Sequence, residues 1–297
     1  MNNQPLVSII MNSYNSDEFL EEAIDSIINQ TYQNWEIIFW DNQSTDNSAK
    51  IIKSYNDRRI KYFYAPRFTP LGEARNFAIE KCNGEWIGFL DADDIWDKDK
   101  LFLSFQELNN SSNEDNISLI YSKSNIINKE GDITSKSTKS PSGYIHDKLL
   151  IEGDFIVFSS IIVKKDILNQ NGNIDENLNY CEDYDLLLKV CKAYQAIGID
   201  KYLTSYRVHS NNITSTKIYE NNIEVVELLN KYIKNNHLSY KIRYNIFINN
   251  SYRLGTLMVK LLMIKEYRNI FSLMIKYPFY IFISPFSILY KKIGYQI

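Results

Sequence analysis

The sequence predicts an α/β protein in which a mostly parallel, doubly wound sheet carries a helical C-terminal extension. Four short apolar runs, rich in β-branched and aromatic residues, alternate with helical stretches over the first 90 residues. Such alternation requires crossover connections, which place consecutive strands parallel to one another. With 297 residues, 44% of them apolar, and only 10 Gly and 6 Pro, the chain can bury a large core and is neither disordered nor collagen-like.

The elements follow from their local patterns in chain order. Apolar runs predict strands at 6–11, 35–40, 60–64 and 86–90, and helical spacing predicts helices at 16–29, 44–55 and 73–82. Asn15, followed three positions later by Glu18, has the pattern of a capping box at the start of the first helix. Later strands are expected at 117–121, 155–163 and 196–208, a helix opens at Cys181, and the pattern is helical from about 217 onward.

Carboxylates follow two of the predicted strands. Asp91 and Asp93 come directly after the fourth strand, and their spacing points them the same way while the chain stays extended. Paired carboxylates suit Mg²⁺ or Mn²⁺ together with a diphosphate, whereas capping of the next helix is an equal alternative. Asp41 ends the second strand, where it can accept a hydrogen bond from a nucleobase or a ribose, or cap a helix at Ser44.

Several classes of protein are excluded. The glycines never fall as G-x-G and no P-loop is present, so a Rossmann dehydrogenase and a P-loop enzyme lack their phosphate-binding device. Three cysteines without C-x-x-C spacing predict neither a disulfide framework nor a zinc site. No signal peptide and no apolar run of about 18 residues are found, so we expect a cytoplasmic protein.

Six motifs in order resemble those of glycosyltransferase family 2. The motifs are 7–15 (VSIIMNSYN), 41–46 (DNQSTD), 72–76 (GEARN), 91–93 (DAD), 182–186 (EDYDL) and 206–209 (YRVH). The resemblance as a whole covers roughly residues 5–215. Asn12 and Asn42 stand where the family often has Pro and Asp. The resemblance implies a GT-A fold, a nucleotide-diphosphate-sugar donor, a divalent cation (Mn²⁺ or Mg²⁺) and an inverting mechanism.

The resemblance also implies a role for individual residues. Ser13, Tyr14 and Asp41 would surround the nucleoside, and Arg75 would approach the diphosphate. Asp91 would contact the ribose or the metal, Asp93 would bind the metal, and His209 would be a further metal or diphosphate contact. Asp183 would be the general base, with Glu182, Asp185 and Arg207 as acceptor-binding or supporting residues.

These roles predict a transferase that moves a sugar, from a UDP-linked donor, to a hydroxyl of a glycan or a polyprenyl-linked acceptor in cell-surface polysaccharide or glycoconjugate synthesis. Residues 1–215 would form the catalytic domain, with a nucleotide-sugar half over about 1–95 and an acceptor half over about 96–215. The alternatives are a sugar-phosphate nucleotidyltransferase and a non-catalytic module that binds nucleotide sugars. No nucleic-acid-binding motif accompanies the basic residues, so nucleic acid is not an expected partner.

Residues 216–297 form a basic, aromatic-rich helical region. Residues 231–297 contain eleven Lys or Arg and one acid, a local charge of +10, which leaves −13 on the first 230 residues. Aromatic residues flanked by lysines in 270–297 suit the headgroup level of a bilayer, and this predicts peripheral association with the inner face of the cytoplasmic membrane. The equal alternative is that these aromatic residues pack on the catalytic domain.

Overall fold

The computed structural model describes residues 4–171, 173–210, 212 and 216–294. The strands are β1 (Val7–Ser13), β2 (Trp35–Asp41), β3 (Ile60–Tyr64), β4 (Trp86–Phe89), β5 (Ile95–Trp96), β6 (Ile117–Ile127), β7 (Ile133–Lys136), β8 (Ile162–Lys164) and β9 (Gln195–Arg207). The helices are α1 (Leu20–Ile28), α2 (Ser48–Ser54), α3 (Leu71–Lys81), α4 (Lys100–Asn109), α5 (His146–Glu152), α6 (Lys165–Asn171), α7 (Glu182–Val190), α8 (Ile218–Asn235), α9 (Tyr240–Met263), α10 (Tyr267–Lys276) and α11 (Pro278–Gly294).

The predicted fold class is confirmed. In the described part of the chain, one sheet runs in the order β3-β2-β1-β4-β8-β6-β9-β5, with β7 on β6. Strands β3, β2, β1 and β4 are parallel, and β1, β2 and β4 are entirely or almost entirely buried, as their continuous apolar sequences require. Their carboxyl ends therefore meet at one edge of the sheet.

The second half of the sheet is mixed. Strand β8 is antiparallel to both β4 and β6, whereas β6 and β9 are parallel over their whole length. Strand β6 is longer than predicted, and β8 is much shorter, because a 3₁₀ turn at Phe158–Ser160 interrupts the predicted run 155–163. The two-residue strand β5 had no sequence signal, since two residues show no periodicity.

The first helix begins later than the capping pattern predicts. Helix α1 starts at Leu20, and Asn15 has a left-handed backbone (φ 53°), a conformation that asparagine tolerates. Its side-chain oxygen accepts a hydrogen bond from the Thr45 amide (2.8 Å). The polar residues after β1 therefore bind the loop after β2 instead of capping a helix.

Packing under the β4 end depends on a glycine. A β-carbon on Gly88 would lie 2.8 Å from Cη2 of Trp96, whose ring is buried. The Trp96 indole donates to the carbonyl of Ser159 (2.6 Å), and the Ser159 hydroxyl accepts from the amide of Asp91 (3.1 Å). Only glycine leaves room for this ring, which supports the loop that carries the carboxylates.

The chain divides into two compact units, Met1–His146 with Asp154–His209, and Asp147–Gly153 with Ser210–Ile297. The sheet belongs to the first unit. In the second, α8, α9, α10 and α11 surround a small apolar core that includes Val226, Leu254 and Leu273. The predicted domain boundary at 215 and the last residues of the tail, 295–297, lie outside the described residues, and the functional division remains a prediction.

Among the described residues, no single helix is both long enough and apolar enough to cross a membrane. Helix α10 and residues 278–287 of α11 pass that test only when taken together, and they are bent by 101° relative to each other.

We expect Gly88→Ala to lower the free energy of unfolding by about 1–3 kcal/mol, because the added methyl group overpacks the site against Trp96. Denaturant unfolding measures the effect. Trp96→Phe replaces the indole with a smaller ring that lacks Cη2. The double mutant should therefore lose less unfolding free energy than the two single mutants lose in total. Simple additivity would contradict the proposed clash.

Candidate active site

Three strands bring predicted site residues to one edge of the sheet. Ser13 pairs with Asp41 in the register of β1 and β2, and Asp91 follows β4 on the other side of β1. Ligands of open α/β sheets bind outside this carboxyl edge, where strand order reverses. The predicted nucleoside residues and the start of the predicted metal motif therefore share one crevice.

Asp41 is completely buried and fixed by local donors. The Tyr62 hydroxyl donates to its Oδ2 and the Ser44 amide donates to its Oδ1, both at 2.7 Å. Because α2 begins only at Ser48, this second bond closes a turn and does not cap a helix. Each carboxylate oxygen accepts more than one bond, so Asp41 can still receive a donor from a ligand.

Ser13 and Tyr14 lie beside Asp41 in different environments. The hydroxyl of Ser13 is buried and has no hydrogen-bond partner among the described residues. Tyr14 is half exposed, and its ring meets the exposed ring of Phe68 edge to face at 4.8 Å between centroids. An unpaired buried hydroxyl beside exposed aromatic rings suits a flat polar ligand such as a nucleobase.

The two departures from the family pattern have different surroundings. Asn42 donates to the carbonyl of Thr69 (2.7 Å) and accepts from the amide of Thr69 (3.2 Å), so it holds the loop before α3. A carboxylate could not donate the first of these bonds. Asn12 has a buried side-chain nitrogen without a partner among the described residues.

Arg75 joins the two halves of the site. Only 4% of it is exposed, and its guanidinium donates to Oε1 of Glu182 (2.7 Å) and to Oδ1 of Asp91 (3.2 Å). The ring of Phe158 lies 4.2 Å from the guanidinium carbon. A buried guanidinium needs such partners, so the contacts fix α3, the β4 end and α7 relative to one another.

Asp183 stands at the start of α7 with a strongly altered acidity. Burial raises the pKa of Asp183 to about 7, and the negative charge of Asp154 adds to the effect, although Arg75 opposes it. Burial also raises the pKa of Glu182 to about 7 despite its ion pair. Glu182 and Asp91 both bind the guanidinium, and the nearby charge of Asp183 adds to the raised pKa of Glu182.

The structure brings Asp93 and His209 together. Nε2 of His209 lies 2.9 Å from Oδ2 of Asp93, and the imidazole also packs against Phe19. Burial raises the pKa of Asp93, and the nearby charge of Asp91 raises it further. The next helix starts only at Lys100, so the expected alternative, that 91–94 cap it, is wrong.

These residues fit a divalent cation. Asp91 and Asp93 crowd two negative charges together, and a cation relieves that repulsion. No group of three or more His, Cys, Asp or Glu side chains in the described ranges has metal-binding geometry by itself. Mg²⁺ is usually held by one or two carboxylates plus substrate phosphates, so two acids are sufficient when a diphosphate completes the shell.

Arg207 has a supporting position. It is buried, and its guanidinium donates to the carbonyls of Asp93 (3.0 Å) and Lys129 (2.8 Å) and to Glu22 (2.5 Å). Its backbone amide donates to Oδ1 of Asp94 (2.8 Å). Arg207 therefore fixes the loop that carries Asp93.

Asp185 is turned to a local partner. Its carboxylate lies 2.7 Å from the ammonium of Lys189, one turn along α7, and most of its surface is buried. Of the three acids at the start of α7, Glu182 faces Arg75 and Asp185 faces Lys189. Among the described residues Asp183 has no such cation partner of its own, and besides burial the charge of Asp154 raises its pKa.

Sequence reasoning missed the buried residues that hold the loop of Asp91 and Asp93 in place. Ser159 accepts from the amide of Asp91, and the buried Lys100 donates to the carbonyl of Ser160 (2.8 Å) and to Ser122 (3.3 Å). Burial lowers the pKa of Lys100 to about 7. Only the presence of a lysine next to an apolar helical run could have drawn attention to this position.

Comparison with known proteins identifies the family. The sequence model described as Glycosyl transferase family 2 matches residues 8–170, which is more than half of the chain. This chain belongs to glycosyltransferase family 2. It is a glycosyltransferase, so the nucleotidyltransferase and the non-catalytic module are set aside. The match ends before Asp183 and His209, whose roles rest on geometry and on the resemblance of their motifs.

Two relatives extend the similarity beyond that range. WfgD of Escherichia coli, named as a UDP-Glc:α-D-GlcNAc-diphosphoundecaprenol β-1,3-glucosyltransferase, is 32% identical over 217 residues, which cover 72% of this chain and 82% of WfgD. TuaG of Bacillus subtilis strain 168, named as a glycosyltransferase of teichuronic acid biosynthesis, is 29% identical over 218 residues, which cover 72% of this chain and 83% of TuaG.

A solved structure shows the same fold. The mannosyltransferase PcManGT of Pyrobaculum calidifontis, solved in complex with GDP-Man and Mn²⁺, superposes with a TM-score of 0.65 over 96% of this chain and 85% of its own. The two sequences are 15% identical, so the likeness concerns the GT-A fold alone.

We expect Asp183→Asn to stabilise the protein at pH 8. The folded state holds the Asp183 proton up to a pKa of about 7, whereas an unfolded Asp releases it near pH 4. Stability from this group is therefore lost as pH rises from about 4 to 7, and the uncharged Asn avoids the loss. The Tm of the variant should exceed that of the wild type by a few degrees at pH 8.

The difference in Tm should shrink as the pH falls to about 4, because the folded-state carboxyl is then protonated and the unfolded one is becoming so. Asp115→Asn, an exposed change in the same unit, serves as the control and should leave the Tm unchanged at both pH values. A lower Tm for Asp183→Asn at pH 8 would mean that the carboxylate is stabilised by its surroundings.

Proposed function

We propose that the enzyme transfers a sugar from a UDP-linked donor to an acceptor hydroxyl with inversion, and that Asp183 is the general base. One observation carries this proposal, namely that the pKa of Asp183 is raised to about 7 beside the cluster of Arg75, Glu182 and Asp91. A general base works best when its pKa is close to the working pH. A carboxylate with an ordinary pKa near 4 would be a much weaker base.

In this mechanism Asp183 accepts the proton of the acceptor hydroxyl as its oxygen attacks the anomeric carbon opposite the leaving diphosphate. The position of Asp183 at the N-terminus of α7 favours the ionised form, whereas burial and Asp154 favour the protonated form. These opposing effects leave both the ionised and the protonated form of Asp183 populated near neutral pH.

Arg75 would bind the diphosphate without leaving its buried position. Its bond to Glu182 is shorter than its bond to Asp91, and the Asp91 side chain is 38% exposed. A diphosphate entering from the open side could replace Asp91 on the second nitrogen while Glu182 keeps the first. Arg75 would then stabilise the negative charge that grows on the leaving group.

Asp93 would hold the divalent cation, Mn²⁺ or Mg²⁺, with Asp91 or His209 as an additional ligand. When bound, such a cation neutralises charge on the departing diphosphate. Arg207 keeps the Asp93 loop in place through its carbonyl contact. Ser13, Tyr14 and Asp41 would bind the nucleoside, and Arg207, Glu182 and Asp185 would act as supporting residues.

The acceptor we propose is a glycan hydroxyl on a polyprenyl-diphosphate lipid, in the synthesis of a cell-surface polysaccharide. Support comes from WfgD, whose name specifies UDP-Glc and a diphosphoundecaprenol acceptor, and from TuaG, which is named for teichuronic acid. Such an acceptor implies a cytoplasmic enzyme that works at the inner face of the membrane.

We expect Asp183→Asn to lower kcat by about 10² to 10⁴-fold while the affinity for donor stays within about twofold, because only proton transfer is lost. Steady-state transfer and calorimetric titration with UDP-sugar measure the two quantities. Wild-type turnover in this variant would remove Asp183 from the mechanism.

The wild-type kcat/KM, which reports the free enzyme, should fall below about pH 7, where Asp183 becomes protonated. Burial raises the Asp183 pKa most, and Asp154→Asn removes the added effect of the Asp154 charge, so the falling limb of the kcat/KM profile should move to lower pH. A limb that stays in place would show that another group sets the pH dependence.

Asp93→Asn should weaken donor binding in the presence of Mn²⁺ at least tenfold, and leave the weak metal-free binding unchanged, because the cation loses its main carboxylate. Titration of UDP-sugar with Mn²⁺ and with EDTA measures both. Asp97→Asn, four residues along the chain and exposed, is the matched control. Equal affinities with Mn²⁺ for wild type and Asp93→Asn would place the cation elsewhere.

A further inference from the structure

Helix α10 and the first part of α11 form a bent pair in the second unit, here called the elbow (Tyr267–Lys276 and Pro278–Ser287). The two helices meet at 101°. Their inner face carries Leu273 and Tyr277, which pack with α8 and α9 in the apolar core of that unit. The elbow is therefore anchored by one face.

The outer face of the elbow is apolar as well. Phe279 is 78% exposed and Phe282 is 74% exposed, and Ile275, Phe271 and Phe286 are each about two-thirds exposed. A surface helix in water normally places charged or polar residues on this side. Soluble proteins rarely expose so many large apolar side chains together unless the surface binds something.

Exposed cations lie near this apolar face in the sequence. Lys260, Lys265 and Arg268 are exposed on or just before the elbow, and Glu266 is the one acid in 231–297. Two copies of so basic a surface repel each other, which disfavours self-association. An anionic lipid surface is complementary both to the charge and to the exposed phenylalanines.

We propose that the elbow inserts into one leaflet of an anionic bilayer, with the outer phenylalanines among the acyl chains and the lysines and Arg268 at the headgroups. Helix α10, with ten residues, is about 15 Å long, and α11, with 17 residues, is about 25 Å long, so neither reaches across a hydrocarbon core of about 30 Å. The bend of 101° prevents the two from forming one straight span. The inference deepens the proposed function and rests on its lipid-linked acceptor.

An environment-sensitive label on the elbow tests the insertion in the full-length protein. The three native cysteines are buried, so a nitrobenzoxadiazole label will react with a cysteine introduced by Phe282→Cys. Vesicles with 30% phosphatidylglycerol should shift its emission to the blue, as apolar surroundings do. The same label at Phe102→Cys, an exposed position in the first unit, should not respond. No shift at position 282 overturns the proposal.

Co-flotation with the same vesicles tests separately the contributions of the exposed phenylalanines and of the cations to membrane binding. Phe279→Glu with Phe282→Glu should weaken binding at least 100-fold, and Lys265→Glu with Arg268→Glu should weaken it at least tenfold. Phe102→Glu is the control and should bind as the wild type does. If the elbow variants instead convert a dimer to a monomer in sedimentation, and vesicle binding is unchanged, a second copy is the occupant and the proposal is wrong.

The test does not depend on catalysis, since no donor is present. Vesicle binding without any transfer activity would leave the insertion intact and remove the proposed function. Full transfer to a water-soluble acceptor, together with no vesicle binding, would remove the insertion alone.

Discussion

The buried guanidinium of Arg75 is the constraint on which the rest of the structure depends. It carries a full charge with 4% of its surface exposed, so it requires the carboxylates of Glu182 and Asp91. These partners lie 107 and 16 residues away in sequence. Removing one partner of a buried ion pair commonly costs about 3–5 kcal/mol. The contacts that hold the first unit together at this point are therefore also contacts of the candidate active site.

The same cluster gives the site its chemistry, because it holds more carboxylates than cations. Burial raises the pKa of Asp183 most, and the charge of Asp154 adds to it while Arg75 opposes it. Near Asp91 and Asp93 the excess negative charge favours a divalent cation. Burial together with an excess of carboxylates thus accounts for both a base near neutrality and a cation site.

The nucleotide half of the fold was predictable because β1, β2 and β4 are continuous buried runs. These three strands begin and end within a few residues of their apolar segments, since burial on both faces leaves little choice of residue. The start of α1 was not predictable, because Asn15 bonds to Thr45 and not to its own helix. Strand β8 was overestimated, since the apolar residues around Phe158 pack as a turn against Arg75.

For the site, the motifs identified which residues matter but not what they contact. The spacing of the three acids does not determine how α7 is rotated about its axis. That rotation turns Glu182 toward Arg75 and Asp185 toward Lys189. Arg207 was expected as an acceptor-binding or supporting residue. Its bonds to Lys129 and to Glu22 of α1, which lie 78 and 185 residues away, favour the supporting role. No sequence motif marked Ser159 or Lys100, because their contacts beneath the loop of Asp91 and Asp93 arise only when the chain is packed.

A crystal structure with Mn²⁺ and an intact UDP-sugar analogue tests the central claim most directly. The account predicts the cation on the carboxylate of Asp93, the diphosphate on the guanidinium of Arg75, and the carboxylate of Asp183 on the face of the anomeric carbon opposite the diphosphate. A cation bound away from Asp93, or a sugar whose anomeric carbon is turned away from Asp183, would contradict it.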